Sequence, residues 1–371
     1  MTGSALPTAA ALYAGILGEH VLAAAGYPII GDTCPVNLDA NEAPWGPPEA
    51  VRARIAAAVA DLELNRYPDP DAARLKAALA ARLGVGADQL LLGVGSDELI
   101  EILLIATRGQ GGGVVIPAPT FPMYRLTGRA LGHAVTEVPL APDLQLDRAG
   151  MLAAIERVRP AVVFLASPNN PTGARFRDAD VEAVLDAAPG LVVVDEAYAE
   201  FAGRSVLPSL PRRPRLVVLR TFSKIGLAGI RLGYLVAWPP LVAELNKVRL
   251  PYNVSSLTQA AALAVLETPG VLDEPIRRIA AERERLAARL ARLPGIVRVF
   301  PSDANFLFCQ VRDPQRVYEG LKARGVLVKL IPPFDLAGGG RLPGGLRITV
   351  GTPAEHDRLL AALAEVLGDG N

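Results

Sequence analysis

The residues best suited to chemistry stand just past apolar runs. Lys224 lies in TFSKIGLAGIRLGY (221–234), shortly after LVVL (216–219), with Ser223 before it and Arg231 beyond a glycine-containing turn. Asp195 ends the run LVVVD (191–195) and leads into EAY. A lysine amine shielded from water binds its proton less tightly and becomes a nucleophile. The chain has five lysines, Lys76, Lys224, Lys247, Lys322 and Lys329. Lys76, Lys247 and Lys322 sit among polar residues in helical stretches and read as surface, and Lys329 falls near a strand end. Lys224 is the one that follows a buried strand.

The elements that position these groups are legible as a pattern. Apolar runs at 90–94, 113–117, 161–166, 191–195, 216–220 and 234–238 are interleaved with helical segments at 97–108, 148–158 and 178–188. Near-continuous Val/Leu runs fit strands covered on both faces. Their alternation with helices predicts an α/β domain whose large, mostly parallel central sheet is flanked by helices. From the long amphipathic segment 273–293 onward, strands at 296–300, 305–311, 326–331 and 346–351 and helices near 314–324 and from 354 predict a smaller α+β domain. The N-terminal arm is expected to join it, giving a large domain over 46–258 and a small one over 1–45 and 259–371, with a hinge around 239–260.

Ligands of open parallel sheets bind beyond the carboxyl ends of the strands. There the sequence sets GSDE (95–98), APTFPMY (118–124), SPNNPTG (167–173), DEAY (195–198) and TFSK (221–224), all on one rim if the strands are parallel. Each has a plainer reading. GSDE taken alone is best read as a helix cap, Ser96 accepting from first-turn amides with Asp97 and Glu98 favoured by the helix dipole. SPNNPTG is ordinary turn chemistry, Asp195 could cap its own loop, and Phe121 could be core. Together they describe a phosphate cup at a helix N-terminus, an aromatic plate, an acid and a desolvated lysine. That combination points to pyridoxal phosphate, whose aldehyde takes the lysine amine as a Schiff base while a carboxylate keeps the pyridine nitrogen protonated.

The segments SPNNPTG, DEAY and TFSKIGLAGIRLGY resemble, in this order, the pyridoxal-phosphate aminotransferases of fold type I. NLDANEAPWGPP (37–48), NRYPDP (65–70), GVGSDELIE (93–101) and LRITVGT (346–352) make the chain similar to the histidinol-phosphate aminotransferases, from about residue 37 onward. The resemblance implies that Lys224 is the Schiff-base lysine and proton carrier, and that Asp195 pairs with the ring nitrogen. It implies that Tyr198 and Asn170 bond the phenolic oxygen and that Phe121 stacks on the ring. Ser96, Asp97, Ser223 and Arg231 would hold the phosphate, with Tyr67 reaching the same phosphate from a second subunit. Arg347, Lys329 and Asn41 would meet the substrate. Lys329 stands where many relatives carry a second arginine, and a lysine offers charge without a bidentate fork. The usual Pro-Tyr pair is missing from the arm, where Tyr13 is the candidate to take its place. Residues 332–345 form a loop without an assigned role.

Charge and composition exclude other classes. Basic and acidic residues balance at 38 each, so no overall charge recruits nucleic acid or an anionic membrane. Hydrophobic residues make up 51% of the chain, enough for a large core. The stretch LPTAAALYAGILGEH has no basic residues ahead of it and meets Glu19 and His20 too soon for a span of ~20 apolar residues. Two cysteines, Cys34 and Cys309, argue against a disulfide scaffold, and three histidines in no ligand-like spacing against structural zinc. GVGSDE lacks the third glycine of a dinucleotide fingerprint. The expectation is a cytoplasmic homodimer that moves an amino group between histidinol phosphate/imidazole acetol phosphate and glutamate/2-oxoglutarate, without a metal. The alternatives are an aromatic-amino-acid aminotransferase on the same scaffold, or a non-catalytic binding module of this fold.

Overall fold

The computed structural model describes residues 12–13, 15–24, 26 and 34–368. Its fourteen strands are β1 (Val36–Leu38), β2 (Leu90–Val94), β3 (Val114–Ala118), β4 (Val135–Pro139), β5 (Val162–Ala166), β6 (Leu191–Asp195), β7 (Leu216–Thr221), β8 (Leu232–Val236), β9 (Ile296–Val299), β10 (Phe306–Val311), β11 (Val326–Ile331), β12 (Phe334–Asp335), β13 (Arg341–Leu342) and β14 (Gly345–Thr349).

Seven strands form a sheet in the order β2-β8-β7-β6-β5-β3-β4. β8 runs antiparallel to both neighbours and the other pairings are parallel. The α/β expectation therefore holds, with one reversed strand inserted beside β2. The alternation inside each run explains why both faces are dry. Val163 and Leu165 pack on one face with Val192 and Val194, while Val162 and Phe164 pack on the other with Val193. Burying one such side chain stabilises the fold by ~1.5–3 kcal/mol. β4 is absent from the sequence pattern because it is an edge strand. Its Val138 alone is fully buried, so VTEVP carries no continuous apolar run.

A second sheet runs β1-β11-β14-β10-β9, antiparallel except for β1 on β11. The helices Asp273–Leu290, Pro314–Ala323 and Pro353–Gly368 close its core through Leu286, Leu290, Val317, Leu321, Leu359 and Leu363. The N-terminal part divides. Residues 36–38 join this sheet, but the short helix Glu19–Leu22 lies against Met123–Ala130 of the large sheet's layer. In the expected hinge, Pro239–Leu245 and Ser256–Leu266 are helices, and the second packs on Glu49–Ala60 and Ala73–Leu83. Residues 332–345 are a small hairpin, β12 against β13, whose Ala337 amide donates to the Leu140 carbonyl at 2.8 Å. It ties the second sheet to the end of β4.

Candidate active site

Strands β2, β3, β5, β6 and β7 point their carboxyl ends the same way, and a cavity of about 310 Å³ opens there. Every residue assigned to the site from sequence lines it except Tyr67: Asn41, Ser96, Asp97, Phe121, Asn170, Asp195, Tyr198, Ser223, Lys224, Arg231, Lys329 and Arg347. Tyr67 is 80% exposed and stacks on Tyr252 at 4.6 Å, outside this cavity. Tyr13 is also exposed and does not line it. Lys76, read as a surface lysine, is half-buried, and burial lowers its pKa.

Lys224 sits in an irregular turn directly after β7. The turn needs Gly226, whose φ is +98° and where a Cβ would stand 3.1 Å from the Trp45 carbonyl oxygen. The Lys224 amine donates to the Ala40 carbonyl at 3.1 Å. Burial lowers its pKa to about 8, helped by the Arg347 guanidinium and opposed by Glu42 and Asp97. Near pH 8 about half the amines then carry a free lone pair. Arg231 returns the chain into β8 with φ +51°. Its carbonyl accepts from Gly95 N–H at 2.8 Å, and its Nη2 lies 3.3 Å from Asp97 Oδ2. That ion pair is half-exposed and adds little stability.

The cap reading of GSDE holds for its acids, since Asp97 and Glu98 lie in the first turn, but not for Ser96. The helix begins at Gly95 with Val94 as its N-cap residue, and no side chain caps it. Glu98 instead accepts from the Val94 amide at 2.5 Å and from Asn253 Nδ2 at 2.8 Å. Ser96 and Asp97 of the helix's first turn line the cavity beside Ser223 and Arg231, a helix N-terminus next to a guanidinium, which is an arrangement able to take an anion. Gly233 permits this closeness, since a Cβ there would lie 2.5 Å from the backbone of Gly95.

Asp195, at the end of β6, is 4% exposed. It accepts from the Tyr124 hydroxyl at 2.6 Å and from the Ala197 amide at 3.0 Å. No basic side chain among the described residues pairs with it. Burial raises its pKa to about 6, against the pull of those two hydrogen bonds. Tyr198 is buried, and its hydroxyl accepts from Asn41 Nδ2 at 3.0 Å. Asn41 is knitted to β14 by Thr349 Oγ1, which accepts from its amide at 3.0 Å.

The second sheet contributes the cationic end. Lys329 and Arg347 face each other across β11 and β14. Like charges directly opposite destabilise a sheet, so an anion between them relieves a built-in repulsion. Arg347 is buried, donates to Asn170 Oδ1 at 2.7 Å and to the Asp39 carbonyl, and lowers the pKa of Lys329 after burial itself. Sequence reasoning missed Tyr124 and Thr221 as site residues. Thr221 Oγ1 donates to Ser223 Oγ at 2.9 Å and orients it.

The sequence matches the family model "Aminotransferase class I and II" over residues 34–363. It is 45% identical to histidinol-phosphate aminotransferase 1 of Ralstonia nicotianae, over 95% of each chain. It is 45% identical to histidinol-phosphate aminotransferase 2 of Bordetella bronchiseptica, over 99% of this chain and 100% of that one. Among solved structures it resembles histidinol-phosphate aminotransferase from Sinorhizobium meliloti in complex with pyridoxal-5'-phosphate, with a TM-score of 0.84 and 30% identity over 95% of this chain and 98% of that one. With the family model matched over residues 34–363 and relatives 45% identical over nearly the whole chain, the chain belongs to the class I and II aminotransferases as a member of the histidinol-phosphate aminotransferase type.

Proposed function

We propose that this aminotransferase exchanges an amino group between histidinol phosphate/imidazole acetol phosphate and glutamate/2-oxoglutarate, as a step of histidine biosynthesis, with pyridoxal phosphate as cofactor. The single observation that carries the reading is the lone buried carboxylate of Asp195 across the cavity from Lys224. An unpaired buried carboxylate is costly, and a protonated ring nitrogen supplies the missing countercharge. The residues fit the cofactor at each end. Ser96, Asp97, Ser223 and Arg231 would take its phosphate, Phe121 its ring face, and Tyr198 and Asn170 its phenolic oxygen. Pyridoxal phosphate bound there supplies an electron sink for charge developing at the substrate Cα.

The chain's own residues do the rest. Lys224 would anchor the cofactor, and its Nζ would take and return the proton at the substrate Cα. A lysine with a pKa of about 8 is poised for that transfer near neutral pH. Arg347 and Lys329 bind the substrate's phosphate or carboxylate, and Asn41 holds Tyr198 in place. Serial use of one site by two substrates gives ping-pong kinetics.

The same reading makes the protein a homodimer. The exposed Leu64, Tyr67 and Leu250 are the kind of apolar surface that a partner covers, and Tyr67 would reach the cofactor phosphate of that partner. No helix among the described residues is long and apolar enough to cross a membrane. A cytoplasmic location agrees with two free cysteines and small-metabolite substrates.

The test is the purified protein with added pyridoxal phosphate. A visible absorption band that borohydride removes is expected, with turnover of histidinol phosphate and 2-oxoglutarate well above that of phenylalanine. No band would end the cofactor assignment. Turnover of phenylalanine alone would replace the substrate with an aromatic amino acid.

A further inference from the structure

We infer that Tyr124 is a positioning residue of this site, whose hydroxyl holds the Asp195 carboxylate ionised and fixed at the cavity wall. The inference rests on the cofactor reading above, but the hydrogen bond does not. Tyr124 is fully buried, and its hydroxyl donates to Asp195 Oδ2 at 2.6 Å. The ring cannot swing away. It stacks on Phe164 at 4.7 Å with 8° between planes, and meets Phe121 edge-on at 5.6 Å. One aromatic cluster therefore sets both the plate of the site and its acid.

A carboxylate can accept about four hydrogen bonds, and here Tyr124 and the Ala197 amide take one each, on opposite oxygens. The remaining lone pairs serve a cation in the cavity. The other groups around Asp195 are the acids Asp97 and Glu196, with Tyr198 and Lys224 across the cavity. Glu196 is already engaged by Arg220 at 2.8 Å, and Asp97 faces Arg231 at 3.3 Å. Both acids work against a third charge at Asp195, as does burial. Tyr124, the one side chain among the described residues that donates to it, acts the other way. Burial and the neighbouring carboxylate keep the phenol protonated, so it is a donor throughout the working pH range.

The experiment compares wild type with Tyr124→Phe, which removes one oxygen and leaves the stack. In the cofactor-free protein, thermal stability should fall as pH rises through the Asp195 titration, because a raised carboxyl pKa stabilises only below it. In Tyr124→Phe this step should move up by about one pH unit. It should be absent in Asp195→Asn and in the double variant. In the loaded enzyme, cofactor affinity and kcat should each fall about tenfold with substrate KM within about twofold, and Tyr124→His, which keeps a donor, should recover most of the loss. A variant less stable by the same amount at every pH, with the step unmoved and cofactor affinity intact, would overturn the proposal and leave Tyr124 as packing alone. If Tyr124→Phe does not fold, wild type carrying fluorinated tyrosine, a stronger donor, must move the step to lower pH, and an unmoved step rejects the inference. Should none of the proteins take up pyridoxal phosphate, the cofactor reading fails while the cofactor-free titration still decides the role of Tyr124.

Discussion

The two ends of the seven-stranded sheet differ in a way that volume does not predict. At the amino ends a cavity of about 540 Å³ opens near Gly112, Arg159, Gly190 and Arg215, against about 310 Å³ at the carboxyl ends. The larger one is walled by backbone. A Cβ at Gly112 would fall 1.6 Å from the Val158 carbonyl oxygen, and one at Gly190 would fall 2.2 Å from that of Ala161. Its glycines serve tight strand entry, and its arginines lie at an open rim. At the carboxyl ends, side chains from five strand exits converge, and burial has moved the pKa of both Lys224 and Asp195. Chemistry follows the direction in which the strands run, because that direction gathers polar residues from distant parts of the chain into one desolvated place.

Substitutions at the two ends should separate accordingly. Lys224→Ala should abolish the borohydride-sensitive band and lower kcat by ~10⁴-fold or more, read by single-turnover kinetics. Near-normal turnover would remove the carboxyl-end cavity from the mechanism. Arg347→Ala should raise KM for the phosphorylated substrate ~10–100-fold, the scale of a lost charge-assisted pair. Unaltered kinetics with both substrates would take the second sheet out of substrate binding.

Asp195→Asn gives a smaller effect with a definite pH sign. The folded pKa, about 6, lies above the ordinary value of 3.8. The cofactor-free wild type is therefore free of penalty below about pH 4 and loses stability as pH rises through 6. At pH 8 the asparagine variant should be more stable without cofactor by up to ~3 kcal/mol, and the difference should vanish on acidification. Calorimetry across that range checks it, and a pH-independent difference would mean that Asp195 is not strained by burial. At the amino end, Arg159→Ala should change stability by no more than ~0.5 kcal/mol and leave kcat/KM unchanged. A measurable loss of activity would show the two ends to be coupled.

How much of this was legible depended on range. β5 and β6 announce themselves because both faces are covered and the runs VVFLA and LVVV are continuously apolar. β4 does not, because an edge strand needs no such run. Lys224 was legible from its neighbours in sequence and from the scarcity of lysine. Tyr124 was not, because a buried aromatic in a helix reads the same whether it fills space or donates a hydrogen bond. The opposition of Lys329 and Arg347 depends on a register set across the hairpin Phe334–Asp335 and Arg341–Leu342, which no local pattern reports. The roles of GSDE were ambiguous until the helix start was fixed at Gly95, with Ser96 capping no amide and Glu98 accepting from the Val94 amide ahead of the helix.

By itself the sequence determined which chemical groups follow which strand, and in what order, because strand periodicity and turn chemistry are short-range properties of the chain. Only the tertiary structure decided how acidic those groups are and which of them touch. Burial and partner distance are set by residues far away in sequence, so the lowered pKa of Lys224, the raised one of Asp195 and the hydrogen bond from Tyr124 exist only once the two sheets and their helices have closed around the cavity.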